Sequence, residues 1–434
     1  MKRLRDTLVI ISCLSIFAAG CATHPESLSS VEQALRRGDF IGADTLMQQQ
    51  TDLEKGKDRL LFYLHSGLTA HLSGKYAQSN HYFDLADDRF DELYTKSIST
   101  EVASFISNEL VKPYSGEDFE KVTIHYYMAL NYLLLGELDE ALVECRRVNV
   151  KLEEFNRKYD DNPNVYRADA FIHYLMGLIY EASGDLNNSF IAYRNAAKVY
   201  EEDYLEFYGL DVPEQLKEDI LRTAQALGFQ SQVDFYEAKW NKSDRIPQSL
   251  HRGSGELVLI WDNGLAPHKT QNSIEIPFED YYLRAAFPSF VSRPPNLSYA
   301  SANVGIGHVK TEIFQDIDAI AIKNLEDRQT RIIAKTAARG VAKYAVKEKI
   351  ENEFGEAAGC VFNVFAAATE QADTRSWFTL PHNIQIARLL HAPGQYDVHL
   401  HFYGASGQLI FTDMIPDVSF QAGRMTFVTY RTFR

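Results

Sequence analysis

A spacing of small, aromatic and aliphatic residues recurs three times in the first half of this chain. The first copy is Gly67, Ala70, Gly74, Tyr76, Ser79, Phe83 and Ala86; the second is Ala129, Tyr132, Gly136, Leu138, Ala141, Cys145 and Val148; the third is Gly177, Tyr180, Gly184, Leu186, Ser189, Tyr193 and Ala196. We predict a helix–turn–helix unit for each copy. The first small residue lets two helices approach, the second glycine makes the turn, and the bulky residue fills the groove.

This spacing resembles the tetratricopeptide repeat (TPR), a helix–turn–helix unit of about 34 residues. The resemblance implies a TPR-like α-solenoid over residues 30–245, whose stacked units build a concave surface that binds peptides or protein segments. Because the copies are more than one repeat length apart, the array is degenerate. We expect a partial copy from Gly38 to Met47 to begin it and the stretch from Pro213 to Trp240 to close it. A generic helical bundle is the alternative.

Histidines in the repeats and near the carboxyl terminus are candidate metal ligands. His65, His125 and His173 occupy equivalent positions of the three copies. Because these positions lie a whole repeat apart, we expect them to pack or to line a face of the array. His399 and His401 share one face of a predicted strand, but a metal site needs three or four ligands. The sequence also lacks a cysteine pair with zinc-finger spacing, so we predict no metal site and no cofactor.

The periodicity changes from helical to alternating in the second half, which we assign to residues 252–434. Predicted strands cover residues 256–262, 273–278, 297–304, 383–390, 396–403, 408–412 and 425–433. We expect an antiparallel, β-rich and sandwich-like domain with a helical hairpin inserted into it or packed on it. The predicted fold class is therefore α+β multidomain, with the TPR-like α-solenoid first.

The helical hairpin of this domain is predicted near residues 316–354 and 357–369. Asp316 is the expected N-cap of the long helix and Gly355 its C-cap. The second helix is nearly all small and apolar, and it is too short to span a bilayer. The long helix carries a predicted packing stripe of Ile317, Ile320, Ala321, Leu325, Ile332, Ala338, Val341, Ala345 and Phe354.

The segment from Glu370 to Pro381 carries the most specific side chains of the chain. An Asp373-Thr-Arg375-x-Trp377 segment follows the repeat array, and a Pro-Gly-x-Tyr turn comes soon after it. This order resembles an uncharacterised family of proteobacterial TPR lipoproteins. No activity is assigned to that family, so the resemblance implies none for this chain. We expect Asp373 and Arg375 to pair and Trp377 to be buried with its N–H on a carbonyl. A partner-binding hot spot formed by Asp373, Arg375 and Trp377 is the alternative.

The amino terminus has the layout of a secretory signal peptide. Lys2, Arg3 and Arg5 precede an apolar run that ends in small residues and Cys21. This ending resembles the lipobox of bacterial lipoproteins, which implies acylation of Cys21, with residues 1–20 as the signal and 21–29 as a lipid tether. Cleavage by an ordinary signal peptidase, giving a free periplasmic protein, is the alternative. Since Ala22 rather than Asp follows, the resemblance implies the outer membrane, facing the periplasm.

Net charge and cysteine content limit which binding partners and which disulfides the chain can have. The formal net charge is −15, which argues against nucleic acid because phosphates demand basic patches. Beyond Cys13 in the signal and Cys21, only Cys145 and Cys360 remain, and buried free thiols are favoured over a long-range disulfide. We expect a non-enzymatic scaffold or adaptor that binds an envelope protein or peptide segment through its repeat surface. A component of a surface-polymer or appendage export machine is the second interpretation, and an envelope-polymer-modifying enzyme the third.

Overall fold

The computed structural model describes residues 24–99, 110, 112–158, 165–242, 253–278, 281–355 and 371–434. Cys21, Cys360, the predicted signal peptide and the helix predicted at 357–369 lie outside these residues. The first described helix begins at His24. It therefore starts inside the stretch 21–29 that the sequence predicted to be a tether.

The amino-terminal half consists of helices that pair into hairpins. They are α1 (His24–Arg36), α2 (Phe40–Gln48), α3 (Thr51–Lys55), α4 (Arg59–Leu72), α5 (Tyr76–Ser99), α6 (Asp118–Leu135), α7 (Leu138–Lys158), α8 (Ala170–Ala182), α9 (Leu186–Val199), α10 (Leu205–Tyr208), α11 (Glu214–Ala226) and α12 (Gln230–Trp240). A single π-helical turn (Tyr200–Tyr204) joins α9 to α10. The three predicted copies form the hairpins α4–α5, α6–α7 and α8–α9, with α1–α2 before them and α11–α12 after them. The chain is thus α+β with a TPR-like helical region.

The turn of each hairpin is made by a glycine with positive φ. Gly74, Gly136 and Gly184 have φ values of 76°, 81° and 84°, where a side chain is strained. The residue after each glycine donates its N–H back to the helix that ends there, as Glu137 does to Tyr132 at 2.8 Å. The turn positions of the repeat were therefore predicted correctly from the sequence.

The described residues of the carboxy-terminal half form two four-stranded sheets and a two-stranded hairpin. Its strands are β1 (Gly255–Asn263), β2 (His268–Phe278), β3 (Tyr281–Val291), β4 (Tyr299–Val304), β5 (Gly307–Lys310), β6 (Glu312–Asp316), β7 (Asn383–His391), β8 (Gly394–Tyr403), β9 (Leu409–Phe420) and β10 (Met425–Arg431). The inner sheet has the order β10-β1-β7-β6, the outer sheet the order β5-β4-β8-β9, and β2 pairs with β3.

The two sheets form a sandwich, and the second face of the inner sheet packs against the helices. Leu257, Leu259 and Trp261 of β1 point into the sandwich, where the Trp261 ring lies 5.2 Å from that of Phe402. Val258 and Ile260 point to the other side and join the core of the helical array. The array and the sandwich therefore share the central sheet as a common wall.

One pairing in the inner sheet differs from the expected antiparallel arrangement. β1 runs parallel to β10, from the pair Glu256 and Met425 to the pair Asp262 and Arg431. Every residue of β1 is buried, which is typical of a central strand covered on both faces and compatible with a parallel neighbour. The inner sheet is consequently mixed rather than antiparallel.

The long helix α13 (Ile317–Phe354) begins and ends as predicted. Asp316 accepts the N–H of Ala319 at 2.9 Å, and Gly355 follows the last turn with a φ of 89°. Its predicted packing stripe is wrong beyond the first turns, because the helix continues along β3 and buries Thr336 and Arg339 there instead. The first four stripe residues are buried; Ile332 is half-buried; and the exposed ones are Ala338, Val341, Ala345 and Phe354.

Candidate functional site

The predicted repeat-packing residues meet in the described hairpins. A Cβ added at Gly67 would lie 2.4 Å from Cε1 of Phe83, and one added at Gly177 would lie 2.3 Å from Cδ1 of Tyr193. Each glycine therefore makes room for the ring that faces it. Of the other predicted positions, Ala86, Ala129, Ala141 and Ala196 are fully buried, and Tyr76, Tyr132 and Tyr180 are half-buried.

The first helices of the hairpins (α4, α6 and α8) form what we call the inner face of the array, and the sandwich covers it. Tyr126 and Tyr127 of α6 donate their hydroxyls to the two carboxylate oxygens of Asp262 at 2.9 and 2.8 Å. On α8, the Tyr174 ring stacks on Phe314 with centroids 4.2 Å apart. The concave surface that the sequence predicted for a peptide is thus occupied by the chain's own sheet.

A buried ionic cluster ties the inner sheet to the last two hairpins. Arg388 of β7 lies 2.6 Å from Glu256 of β1, 2.7 Å from Asp219 of α11 and 3.3 Å from Glu181 of α8. Burial opposes the charge on Arg388, yet the surrounding carboxylates hold its pKa well above its ordinary value. Arg388 and Arg222 in turn lower the pKa of Glu181 despite its burial. The cluster is closed to solvent, so it holds elements together rather than offering a reaction site.

Asp373, Arg375 and Trp377 form an internal corner between the array and the sandwich. Arg375 donates to both oxygens of Asp373, at 2.8 and 2.6 Å, and also reaches Asp58. The Trp377 ring is 1% exposed and lies 5.7 Å from that of Phe83. Its backbone N–H donates to Glu120, whereas the indole Nε1 has no partner in the described part of the chain, contrary to expectation. Because Trp377 and Arg375 are buried, the alternative of an exposed partner-binding hot spot is wrong for them.

The histidines that are candidate metal ligands do not come together in the structure. Nδ1 of His65 lies 2.9 Å from Thr379 Oγ1, and that of His125 lies 2.8 Å from Glu144. His173 is half-buried, and its partial removal from water lowers its pKa. His399 is exposed on β8. In the described residues, no group of three or more His, Cys, Asp or Glu side chains is arranged to hold a metal ion.

A cavity of about 470 Å³, not predicted from the sequence, lies where two hairpin turns meet the end of β10. Gly38 and Gly74 lie at its rim, and the half-buried ring of Tyr76 forms part of its wall. Its polar lining consists of Arg36, Arg37, His71, Asp262, Asp413, Thr429, Arg431, Thr432 and Arg434, and its aromatic lining of Phe40, Tyr76, Phe411, Tyr430 and Phe433. The sequence signal was weak, because Asp262 and Arg431 lie far apart in the chain and belong to no local motif.

The outer surface of the array presents apolar side chains at one repeated position. Val143, Ile191 and Phe235 each follow the turn glycine of their hairpin by seven residues. They are 45%, 44% and 55% exposed. Isolated exposed apolar residues are common, but recurrence at an equivalent position of three successive hairpins is not expected of a purely solvated face. We call these three residues the outer row.

Similarity to solved structures covers about half of the chain. No protein-family model matches the chain, and no curated protein matches it in sequence. Among solved structures, MamA is 15% identical, covering 48% of this chain and 90% of its own, with a TM-score of 0.30. BtubC (BKLC) from P. vanneervenii is 16% identical, covering 50% and 80%, with a TM-score of 0.32. A Podosopora anserina putative kinesin light chain is 12% identical, covering 51% and 100%, with a TM-score of 0.31. At these values the likeness carries no argument about function.

Proposed function

We propose that this protein is a non-catalytic scaffold that binds a protein partner on the outer side of its repeat array, at the periplasmic face of the outer membrane. The observation that carries the proposal is the outer row of Val143, Ile191 and Phe235 on an array whose inner face is already filled. A partner with a complementary apolar strip would remove these side chains from water. Apolar burial contributes roughly 25 cal/mol per Å².

The anchoring part of the proposal rests on the sequence around Cys21. The position of Cys21 directly after the apolar run favours lipidation over simple cleavage, because a cysteine is otherwise uncommon at this place. With α1 beginning at His24, only two residues separate Cys21 from the first helix. At about 3.5 Å per residue the tether would span roughly 7 Å, so the array would work close to the membrane. In the described residues, no helix is long and apolar enough to cross a bilayer.

Photocrosslinking in intact cells tests the docking surface. A photoreactive amino acid is placed at position 143, 191 or 235, and the matched controls are positions 275 and 395, which are exposed on β2 and β8. We expect the three outer-row positions to give one common crosslinked protein and the controls to give none of it. No common product, or equal yields at the control positions, contradicts the proposal.

Substitution adds an independent measurement. Val143→Glu, Ile191→Glu and Phe235→Glu place charges on exposed positions, so folding is retained while the apolar strip is lost. The amount of common product, measured with a crosslinker at one of the other two row positions, is expected to fall severalfold for each variant.

Membrane fractionation of Cys21→Ser tests the anchor separately, with transfer to the soluble fraction expected. Unchanged membrane association rejects the lipid anchor without affecting the docking surface.

A further inference from the structure

The cavity between the turns at Gly38 and Gly74 and the end of β10 is lined by more cationic than anionic side chains. Arg36 is paired with Glu32 at 2.8 Å. In the described part of the chain, neither Arg37 nor Arg434 has an ion pair with a carboxylate, and the Arg434 guanidinium lies 4.4 Å from the Phe411 ring centre. The lining also holds two carboxylates, Asp262 and Asp413, which accept hydrogen bonds from neutral tyrosines. With Arg36 paired, the three arginines Arg37, Arg431 and Arg434 exceed these carboxylates by one. The cavity therefore offers positive charge to a guest.

Arg431 is the buried member of this cationic lining. It is 9% exposed and donates to the backbone carbonyls of Asp262 at 2.9 Å and Thr379 at 3.0 Å. Its Nε has no hydrogen-bond partner among the described residues, and no carboxylate oxygen there forms an ion pair with it. Burial outweighs the nearby acidic groups and lowers the pKa of Arg431. A guanidinium still remains protonated in proteins, so an anion in the cavity would relieve an unmet charge.

His71 supplies a different kind of group to the same cavity. Asn131 donates its amide hydrogens to Ser79 at 2.9 Å and Asn80 at 2.7 Å, so its carbonyl oxygen is the atom that accepts from Nδ1 of His71, at 2.6 Å. The proton of the neutral imidazole is thereby fixed on Nδ1, and Nε2 keeps its lone pair. Burial lowers the pKa of His71, which favours this neutral form. The ring can then accept a hydrogen bond from a hydroxyl or amino group of a guest.

The aromatic walls of the cavity determine which kind of molecule fits inside it. Phe40, Tyr76, Phe411, Tyr430 and Phe433 surround a space of about 470 Å³, within the range of small-molecule sites. We propose that this cavity binds a small organic anion, in which a carboxylate or phosphate group is carried on an aromatic or apolar body. The anionic group lies against Arg431, Arg37 and Arg434, and the body lies among the rings. This inference is independent of the outer row and of the lipid anchor.

Binding of matched probes to the purified mature chain tests the inference. The probes are 2-naphthoate, 2-naphthyl phosphate and neutral 2-naphthol. The affinity and stoichiometry of each are measured by isothermal titration calorimetry. We expect at least one of the two anions to bind with one-to-one stoichiometry and at least tenfold more tightly than 2-naphthol, because a charge-assisted hydrogen bond is lost in the neutral probe. The tighter of the two anions identifies the head group.

Variants assign that binding to the cavity. Arg431→Gln is expected to weaken the tighter anion tenfold or more while leaving 2-naphthol unchanged. Since this buried change can also impair folding, the exposed pair Arg37→Gln with Arg434→Gln is measured alongside, with a severalfold loss expected. Arg424→Gln, exposed on the same domain outside the cavity, is the matched control and should bind as the parent does. Absence of anion binding at millimolar concentration, equal binding of 2-naphthol, or unchanged binding by the exposed double variant overturns the inference.

Discussion

At the residue scale, hairpin packing depends on one glycine placed against one aromatic ring. Gly67 faces Phe83 on the neighbouring helix of the first copy, and Gly177 faces Tyr193 in the third. In both places the atoms that an added methyl group would meet belong to fully buried rings. Since a buried ring among close-packed neighbours cannot move freely, the space is available only to a hydrogen atom.

Gly67→Ala is expected to destabilise the protein, although alanine favours helix by about 1 kcal/mol over glycine. The added Cβ would lie 2.4 Å from Phe83, and overpacking of this kind costs about 1–3 kcal/mol, so the expected net loss is up to about 2 kcal/mol. Urea unfolding followed by circular dichroism measures the change in free energy. The matched control is Gly67→Ala in a Phe83→Leu background, where the smaller side chain should reduce the cost of the alanine. Equal costs in both backgrounds would show that the ring is not the cause.

Glu117 lies between two cations at the start of α6. Its carboxylate pairs with Lys269 of β2 and with Arg328 of α13, the latter at 2.6 Å. Burial alone would raise the pKa of Glu117, but the two cations lower it to about 2. Because this folded value is below the unfolded value of 4.5, ionised Glu117 stabilises the fold above about pH 4.5. That stabilisation is lost as the pH falls from 4.5 towards 2.

Glu117→Gln should therefore lower stability by about 3 kcal/mol at pH 7, the equivalent of the pKa shift. The difference between the parent and the variant should shrink towards zero as the pH approaches 2. The free energy of unfolding is measured by urea denaturation at several pH values from 7 to 2. Glu140→Gln, at an exposed position of α7, is the control, and its difference should stay small throughout. A pH-independent difference for Glu117→Gln would contradict the ion-pair account.

Residues that act within one hairpin were predictable, whereas residues that act across the molecule were not. Gly74 and Gly136 were identified because the turn, the small residue and the bulky residue lie within about twenty positions of one another. Asp262 meets Tyr126 and Arg388 meets Asp219 only after the sheet has docked on the array. Such pairs are separated by more than a hundred residues and leave no local spacing to recognise. For the same reason the cavity at Arg431 was not found.

At the scale of single elements, α13 shows where local signals suffice and where they do not. Its ends follow from capping by Asp316 and Gly355, which depends on neighbouring residues only. Its packing stripe depends on what lies beside the helix, and 38 residues at 1.5 Å each give a length of about 57 Å. The helix packs along β3 of the two-stranded hairpin, and Val341 and Phe354 remain exposed. Apolar periodicity alone could not reveal where the neighbouring surface ends.

The cap itself gives a prediction about this element. Asp316→Ala removes the acceptor of the Ala319 N–H and should cost about 1 kcal/mol. Asp316→Asn keeps a side-chain oxygen at the same place and should cost only a few tenths of a kcal/mol. Both values are measured by urea unfolding at pH 7. If the two variants lose the same stability, the hydrogen bond to Ala319 is not what Asp316 contributes.

At the scale of the whole molecule, the two halves of the chain are joined by one continuous core. Val258 and Ile260 of the sheet belong to the same buried cluster as Leu64 and Leu175 of the helices. Burying apolar sheet residues against helices rather than water makes the two parts depend on each other for stability. Large chains usually unfold through intermediates, domain by domain. The shared core predicts instead that the array and the sandwich unfold together.

The three tryptophans of the chain are placed to test this cooperativity. Trp240 stacks on Tyr236 in the last hairpin, Trp261 lies inside the sandwich, and Trp377 lies at the junction of the two. Three variants, each keeping one tryptophan and replacing the other two by phenylalanine, are unfolded in urea. In each variant, the unfolding midpoint from tryptophan fluorescence is expected to coincide with the midpoint from circular dichroism. Because both midpoints are measured on the same variant, stability lost through the substitutions does not affect the comparison. A Trp261 transition displaced from the helical signal would show that the sandwich unfolds independently and that the shared wall contributes little.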